Sequence, residues 1–195
     1  MKKNKSLIII LAIVALIALW GVSAYNSLVT RSEAVEKAWS QVENQYQRRS
    51  DLIPNLVSTV KGYAAHESQT LTEVTEARAK ATQLTIDPKN LTPEALAQFQ
   101  AAQGDVTSAL GKLMAIREAY PDLKANQNFL ELQAQLEGTE NRITVARKDF
   151  NEESRAYNVA IRRFPNSLIA NWFGFDAKPY FDAKAGADVA PVVEF

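Results

Sequence analysis

The one histidine of the chain, His66, is followed by Glu67 and, one helical turn on, by Thr70. A helical zinc-protease site needs a second histidine at that place, so this chemistry is excluded. With a single histidine and no cysteine, a histidine-rich metal centre, a thiolate metal site and a thiol nucleophile are excluded as well. Glu137 with Glu140, and Glu152 with Glu153, supply carboxylates. A di-iron centre in a helix bundle, however, draws on paired Glu-x-x-His motifs, which this sequence lacks. There is no glycine-rich phosphate loop and no nucleophile elbow. The expectation is therefore a chain without catalytic, metal-ligating or cofactor-binding residues, and not an enzyme.

What remains is a polar group around a proline, in the stretch RRSDLIPNLVSTVKGY from Arg48 to Tyr63. Arg48, Arg49, Asp51 and Asn55 lie within two helical turns of one another, and a helix beginning there would offer free amides to an anion or a peptide carboxylate. Asp51 is a good N-cap, with Leu52, Ile53 and Pro54 as a first turn, because proline at that place forfeits no hydrogen bond. A helix boundary or sharp bend at Ser50 to Pro54 is expected on these grounds. The apolar register that runs through the proline argues instead for one kinked helix. Arg49 itself falls on the apolar seam, where a buried charge needs a partner, such as an acidic side chain of a neighbouring helix, or a path to water.

The elements that position these residues can be read from composition and period. Of 195 residues, 47% are hydrophobic, and there are only 7 Gly and 7 Pro. The abundance of Ala, Gln, Glu, Leu, Lys and Arg favours helix over sheet. Charge is balanced at 22 basic and 22 acidic residues, and setting aside Lys2, Lys3 and Lys5 leaves 19 against 22. Nucleic acid is thereby disfavoured as a partner.

Those three lysines precede an unbroken apolar run from Leu7 to Val22, with Trp20 and Tyr25 at its far end. From Ser6 to Ala24 a helix covers roughly 28 Å, close to the ~30 Å of a bilayer's hydrocarbon. The lysines predict that the N-terminus stays in the cytoplasm, with everything after Tyr25 on the far side of the cytoplasmic (inner) membrane, whose lipids are met through Leu7 to Ala24. The rival reading is a cleaved signal peptide, since Val22-Ser23-Ala24 offers small residues at a cleavage site. Both readings export the domain.

Beyond the apolar run, large side chains recur in steps of three and four: Leu28, Val35, Trp39, Val42, Tyr46, then Ile53, Leu56, Val60 and Tyr63. A second seam runs from Leu96 through Phe99, Val106, Leu110 and Leu113 to Tyr120, opened by Thr92 as N-cap and Pro93 at the first position, and closed by Pro121. The third is the most regular. Phe129, Leu136, Ile143, Phe150, Tyr157 and Phe164 recur every seventh residue. They predict a helix from Lys124 to Phe164, weakened at Gly138 and ended by Pro165. Short connections at Thr85 to Leu91 and Pro121 to Leu123 make neighbours antiparallel. The expected fold is all-α, an elongated up-and-down (antiparallel) four-helix bundle preceded by one N-terminal transmembrane helix. Residues 1–25 would form the cytoplasmic stub and span, 26–165 the bundle, and 166–195 an aromatic-rich segment with a mobile end from Asp182 on. Leu168, Ile169, Trp172, Phe173, Phe175, Tyr180 and Phe181 crowd that last segment. They either pack back on the bundle, dock a partner or graze the membrane surface, which makes Trp172, Phe173 and Phe175 candidate contacts.

The order Tyr25-Asn26, Arg48-Arg49, Asp51-Leu52-Ile53-Pro54-Asn55-Leu56-Val57, Val60-Lys61-Gly62-Tyr63, His66-Glu67 and Glu76-Ala77-Arg78-Ala79-Lys80 resembles the LemA family. So do Tyr157-Asn158, Phe164-Pro165, Trp172-Phe173-Gly174-Phe175 and Tyr180-Phe181. The resemblance implies a bacterial single-pass membrane protein with a four-helix domain and no established enzymatic activity, and relatives in magnetosome membranes suggest an organising role in membranes. The expected function is a scaffold or protein-interaction module of the cell envelope whose partners are other envelope proteins. A homo-oligomer stays open, since Ala12, Ala15 and Ala18 permit close helix approach without a GxxxG motif. The competing readings are an accessory subunit of an envelope protease or stress system, and an enzyme or anion-binding site near Arg49.

Overall fold

The computed structural model describes residues 2–182, and among them every regular element is helical. Helix α1 spans Lys2–Tyr63, α2 Ser68–Gln83, α3 Pro93–Ile116, α4 Pro121–Lys124, α5 Gln127–Arg162 and α6 Asn166–Phe173. Residues 183–195, most of the end expected to be mobile, lie outside the described residues.

α1 has 62 residues, about 93 Å at 1.5 Å per residue. Its first part, from Ile8 to Val22, is apolar and exposed, and the helix it opens is long and apolar enough to cross a membrane. From Leu28 the same helix becomes a seam of the folded domain, with Val35, Trp39, Val42, Ile53, Leu56 and Val60 buried. Of the boundary or sharp bend expected at Ser50 to Pro54, the boundary is absent, and α1 continues through Pro54 to Tyr63, as its unbroken apolar register argued. The physical reason lies one helix away. Proline has no N–H to give the carbonyl four residues back, and Arg78 on α2 supplies one instead, its Nε–H donating to the Ser50 carbonyl at 2.9 Å. Asp51 accordingly caps nothing, and its Oδ1 accepts from Gln47 Nε2 at 2.7 Å within the same helix.

The chain reverses at Ala64 to Glu67, where the Glu67 N–H donates to the Ala64 carbonyl at 3.1 Å and Ala64 is fully buried. His66 sits exposed in this turn. α3 opens as its sequence predicts. The Thr92 hydroxyl accepts from the Ala95 N–H at 3.1 Å, and Pro93 takes the first position. It ends four residues before Tyr120, loosening into a 3₁₀ turn at Arg117–Ala119, and Pro121 then begins the short α4.

α5 is capped by the Asn126 side chain, which accepts from the Phe129 N–H at 2.9 Å. It passes through Gly138 without interruption. Phe129, Leu136, Ile143, Phe150 and Tyr157 are buried as the heptad predicts. Phe164 departs from it: the helix stops at Arg162, and this ring is 81% exposed.

α5 lies antiparallel along α1, as three meetings show. Tyr63 meets Asn126 at one end, Arg49 meets Glu140 midway, and Trp39 packs on Phe150 nearer the apolar segment. α2 packs on α1 and pairs with α3. α3 reaches α1 through large side chains, Phe99 against Trp39 and Tyr46. The buried apolar residues fall into two clusters along this frame. One holds Leu28 to Tyr46 with Phe99, Ile143 to Ile161 and Phe181; the other holds Ile53 to Ala81 with Val106 to Leu113 and Phe129 to Leu136.

Candidate functional site

Arg49 stands where the two apolar clusters meet. It is 2% exposed, and its guanidinium spends its donors inside the protein. Nη1 donates to Thr107 Oγ1 at 2.9 Å and to Glu140 Oε1 at 2.8 Å. Nη2 donates to the Gln103 carbonyl at 3.1 Å and to its side-chain Oε1 at 2.6 Å. The guanidinium carbon lies 5.0 Å from the centre of the Tyr46 ring. A planar cation with several fixed donors suits this task, tying α1 to α3 and α5 in one polar layer.

Beside this layer, α1, α2 and α3 flank an open pocket of about 260 Å³ lined by Glu43, Gln47, Ser50, Arg78, Thr82 and Gln103 among others. The buried Ser50 hydroxyl has no hydrogen-bond partner in the structure. Burial pushes the Glu43 carboxyl above its ordinary value, an effect reduced by the Trp39 indole one turn earlier. Burial likewise raises the Tyr46 phenol, against the pull of Arg147 and Arg49.

The residues singled out around Pro54 do not converge. Arg49 faces inward, whereas Arg48, Asp51 and Asn55 are exposed on the outer side of α1. No helix starts there, so the free amides that an anion site would use are not available. Among the described residues no group of three or more His, Asp or Glu side chains is placed to hold a metal ion.

The aromatic segment divides in two. Its later half is bound to α5 through two asparagines seven residues apart. Asn158 Nδ2 donates to the Lys178 carbonyl at 2.7 Å and its Oδ1 accepts from the Lys178 N–H at 2.9 Å. Asn151 repeats the pattern with Phe181, at 3.0 Å and 2.8 Å. Each amide thus satisfies both backbone groups of one residue, as a neighbouring strand would. Phe181 is thereby delivered into the core, stacked on Trp39 at 6.0 Å between ring centres, with the Arg147 guanidinium carbon over its ring at 4.7 Å from the centre.

The earlier half leans on the apolar part of α1. Phe173 and Phe175 pack edge-on against Tyr25, at 4.9 Å and 5.6 Å. Phe175 is half-buried, but Trp172 and Phe173 remain exposed. Sequence reasoning missed Arg78, Asn151, Asn158 and Gln103. The two asparagines had a signal, since each directly follows a buried aromatic of the α5 seam, Phe150 and Tyr157.

The sequence profile of the LemA family matches residues 38–195. Magnetosome protein MamQ 2 of Paramagnetospirillum magneticum is 28% identical, over 94% of this chain and 73% of its own length. Magnetosome protein MamQ of Magnetospirillum gryphiswaldense is 29% identical, over 87% and 68% respectively. Protein LemA of Metamycoplasma hominis is 23% identical, over 74% and 63%.

Proposed function

This chain belongs to the LemA family, and from that premise we propose that it is a membrane-tethered, non-enzymatic rod that holds or organises other envelope proteins beside the bilayer. One observation carries the reading. The apolar segment and the main seam of the domain are the same unbroken helix, α1, so the domain has no flexible stalk and keeps a fixed attitude to whatever the apolar segment occupies. A rigid mount of this kind suits a scaffold, which must present its faces at a set height and angle. The four long helices act as an elongated up-and-down bundle whose outer faces, rich in Glu, Lys, Arg and Gln, are the surfaces offered to partners.

In the same reading the N-terminus lies in the cytoplasm and the domain on the far side of the cytoplasmic membrane. Lys2, Lys3 and Lys5 support this orientation. The absence of cysteine makes it straightforward to test. A Ser58→Cys variant, exposed on the domain, is expected to react with a membrane-impermeant maleimide in cells whose cytoplasmic membrane is intact; labelling only after lysis reverses the orientation. Photo-crosslinkers placed at Arg48 and Asn55, read by mass spectrometry in native membranes, are expected to return a small recurring set of envelope proteins. Recovery of lipid alone at both positions overturns the scaffold reading.

A further inference from the structure

α6 has two unlike faces. Ala170 is buried and Ile169 packs on the apolar cluster around Trp39. Leu168 and Trp172, one turn apart, lie off that face and are exposed; Phe173 at the helix end, on the side of Ile169, and Phe164 just before the helix are exposed as well. Trp172, at 84% exposed, is among the barest large side chains of the protein. Large apolar side chains exposed together on and beside one short helix make a surface of the kind that soluble proteins avoid and that marks an interaction site.

The position of α6 says what the patch meets. Ile169 Cδ1 lies 4.0 Å from the point where a Cβ at Gly21 would stand, and Phe173 packs on Tyr25. Gly21 and Tyr25 form the last turns of the apolar segment of α1, so α6 is held at the level where that segment ends. Between the two helices runs an apolar groove of about 370 Å³, lined by Ala18, Gly21 and Val22 on one side and Ile169, Trp172 and Phe173 on the other. One wall of the groove is therefore the span itself. Whatever surrounds the span also enters the groove.

We propose that α6 is an interfacial foot, embedded in the leaflet on the domain's side, and that the groove between α6 and α1 takes an acyl chain of a bilayer phospholipid. The chemistry fits at each level. Leu168, Phe173 and Phe164 meet hydrocarbon, and the Trp172 indole suits the boundary between hydrocarbon and headgroups. Arg162 and Arg163, exposed and immediately before Phe164, stand at the entry to the foot; neither forms an ion pair among the described residues. Their side chains suit the phosphates of the headgroup layer. The exposure of Phe164, against the heptad that would have buried it, is then explained by a lipid environment. A second contact with the membrane also fixes the rotation of the rod about α1, which a single span leaves free.

This inference rests on the reading of α1 as a membrane span, and the test separates the two. Single cysteines at Ile13, Ser58, Leu168 and Trp172 in the full chain, each spin-labelled in phospholipid nanodiscs, report access to oxygen, which concentrates in hydrocarbon, and to a water-soluble nickel chelate. Labels at Leu168 and Trp172 are expected to give an oxygen-to-nickel ratio several-fold above that at Ser58 and below that at Ile13. If Leu168 and Trp172 resemble Ser58 while Ile13 reads as lipid, the foot is overturned and the span stands. If Ile13 also reads as water, the span fails. Protection of Leu168 and Trp172 from both reagents overturns lipid as the occupant in favour of a second copy or another protein. All four positions are exposed, and retention of the helical circular dichroism spectrum confirms that each variant is folded.

Discussion

Arg78 donates its Nε–H to the Ser50 carbonyl across 2.9 Å, at the one place in α1 where Pro54 leaves that carbonyl without its helical donor. The proline and the arginine are thus two halves of one device. Pro54 alone would cost about 3 kcal/mol in a helix interior, part of it from the unpaired carbonyl. With Arg78 in place, the gap in α1 becomes a docking point for α2.

The coupling has a measurable form. Arg78→Ala strands the Ser50 carbonyl and is expected to destabilise the full chain in detergent by about 1–3 kcal/mol. In a Pro54→Ala background residue 54 regains its N–H, and the same change is expected to cost about 1 kcal/mol less. A double-mutant cycle by chemical denaturation checks this. Strictly additive losses would show that the two residues act independently.

Arg49 and Glu140 should respond unequally to substitution. Arg49 is almost wholly buried, whereas the Glu140 side chain is 38% exposed and can exchange its partner for water. Arg49→Ala leaves Gln103, Thr107 and Glu140 facing a void and is expected to cost about 3–5 kcal/mol. Glu140→Gln keeps an acceptor near Nη1 and is expected to cost roughly 1 kcal/mol. Equal losses in urea titrations would contradict the placement of the layer between the two apolar clusters.

The long periodic elements were legible because their signal is local. The seventh-residue repeat on α5 and the Thr92-Pro93 start of α3 each specify a helix from their own side chains, and both are found. The boundary expected at Pro54 did not form because its compensation comes from Arg78, 24 positions away in the sequence and visible only once α2 folds back on α1. Phe164 was misread for a related reason: period alone placed it on the seam, but the seam runs out where Arg162 ends α5. Arg49 shows the intermediate case. Its place on the apolar face announced that a partner or a path to water was needed, while the identity of Glu140, Gln103 and Thr107 depended on the register between three helices.

Tyr157 sets an alkaline limit on stability. Burial, and then the Asp176 carboxylate, push its phenol up to about 12 from the ordinary 10.0. Its neutral form is the one the fold accepts. The stabilisation is whole below about pH 10, where the phenol is protonated folded or unfolded. It is lost as pH rises toward about 12, because the unfolded chain gives up this proton first. The loss is expected to be about 2–3 kcal/mol, and Tyr157→Phe should flatten that part of the profile. Tyr46 is raised by burial too, so the variant retains a smaller slope. Denaturation midpoints between pH 9 and pH 12 measure the difference.

The segment after α6 is expected to behave as core despite its place near the C-terminus. Phe181 touches Trp39, Phe150 and Arg147, and its backbone is held by Asn151. Phe181→Ala should therefore cost about 3–5 kcal/mol, the figure for a buried ring and not for a surface one. Asn151→Ala leaves the ring in place but strands the N–H and C=O of residue 181, with an expected loss of about 1–3 kcal/mol. Their combination should cost less than the sum, since a segment released by one change no longer gains from the other. Truncation before Asn166 removes both interactions and the α6 contact with α1 at once. It is expected to lower the unfolding midpoint at least as far as Phe181→Ala does. A truncated chain with unchanged stability would mean that this segment is laid on a core already complete without it.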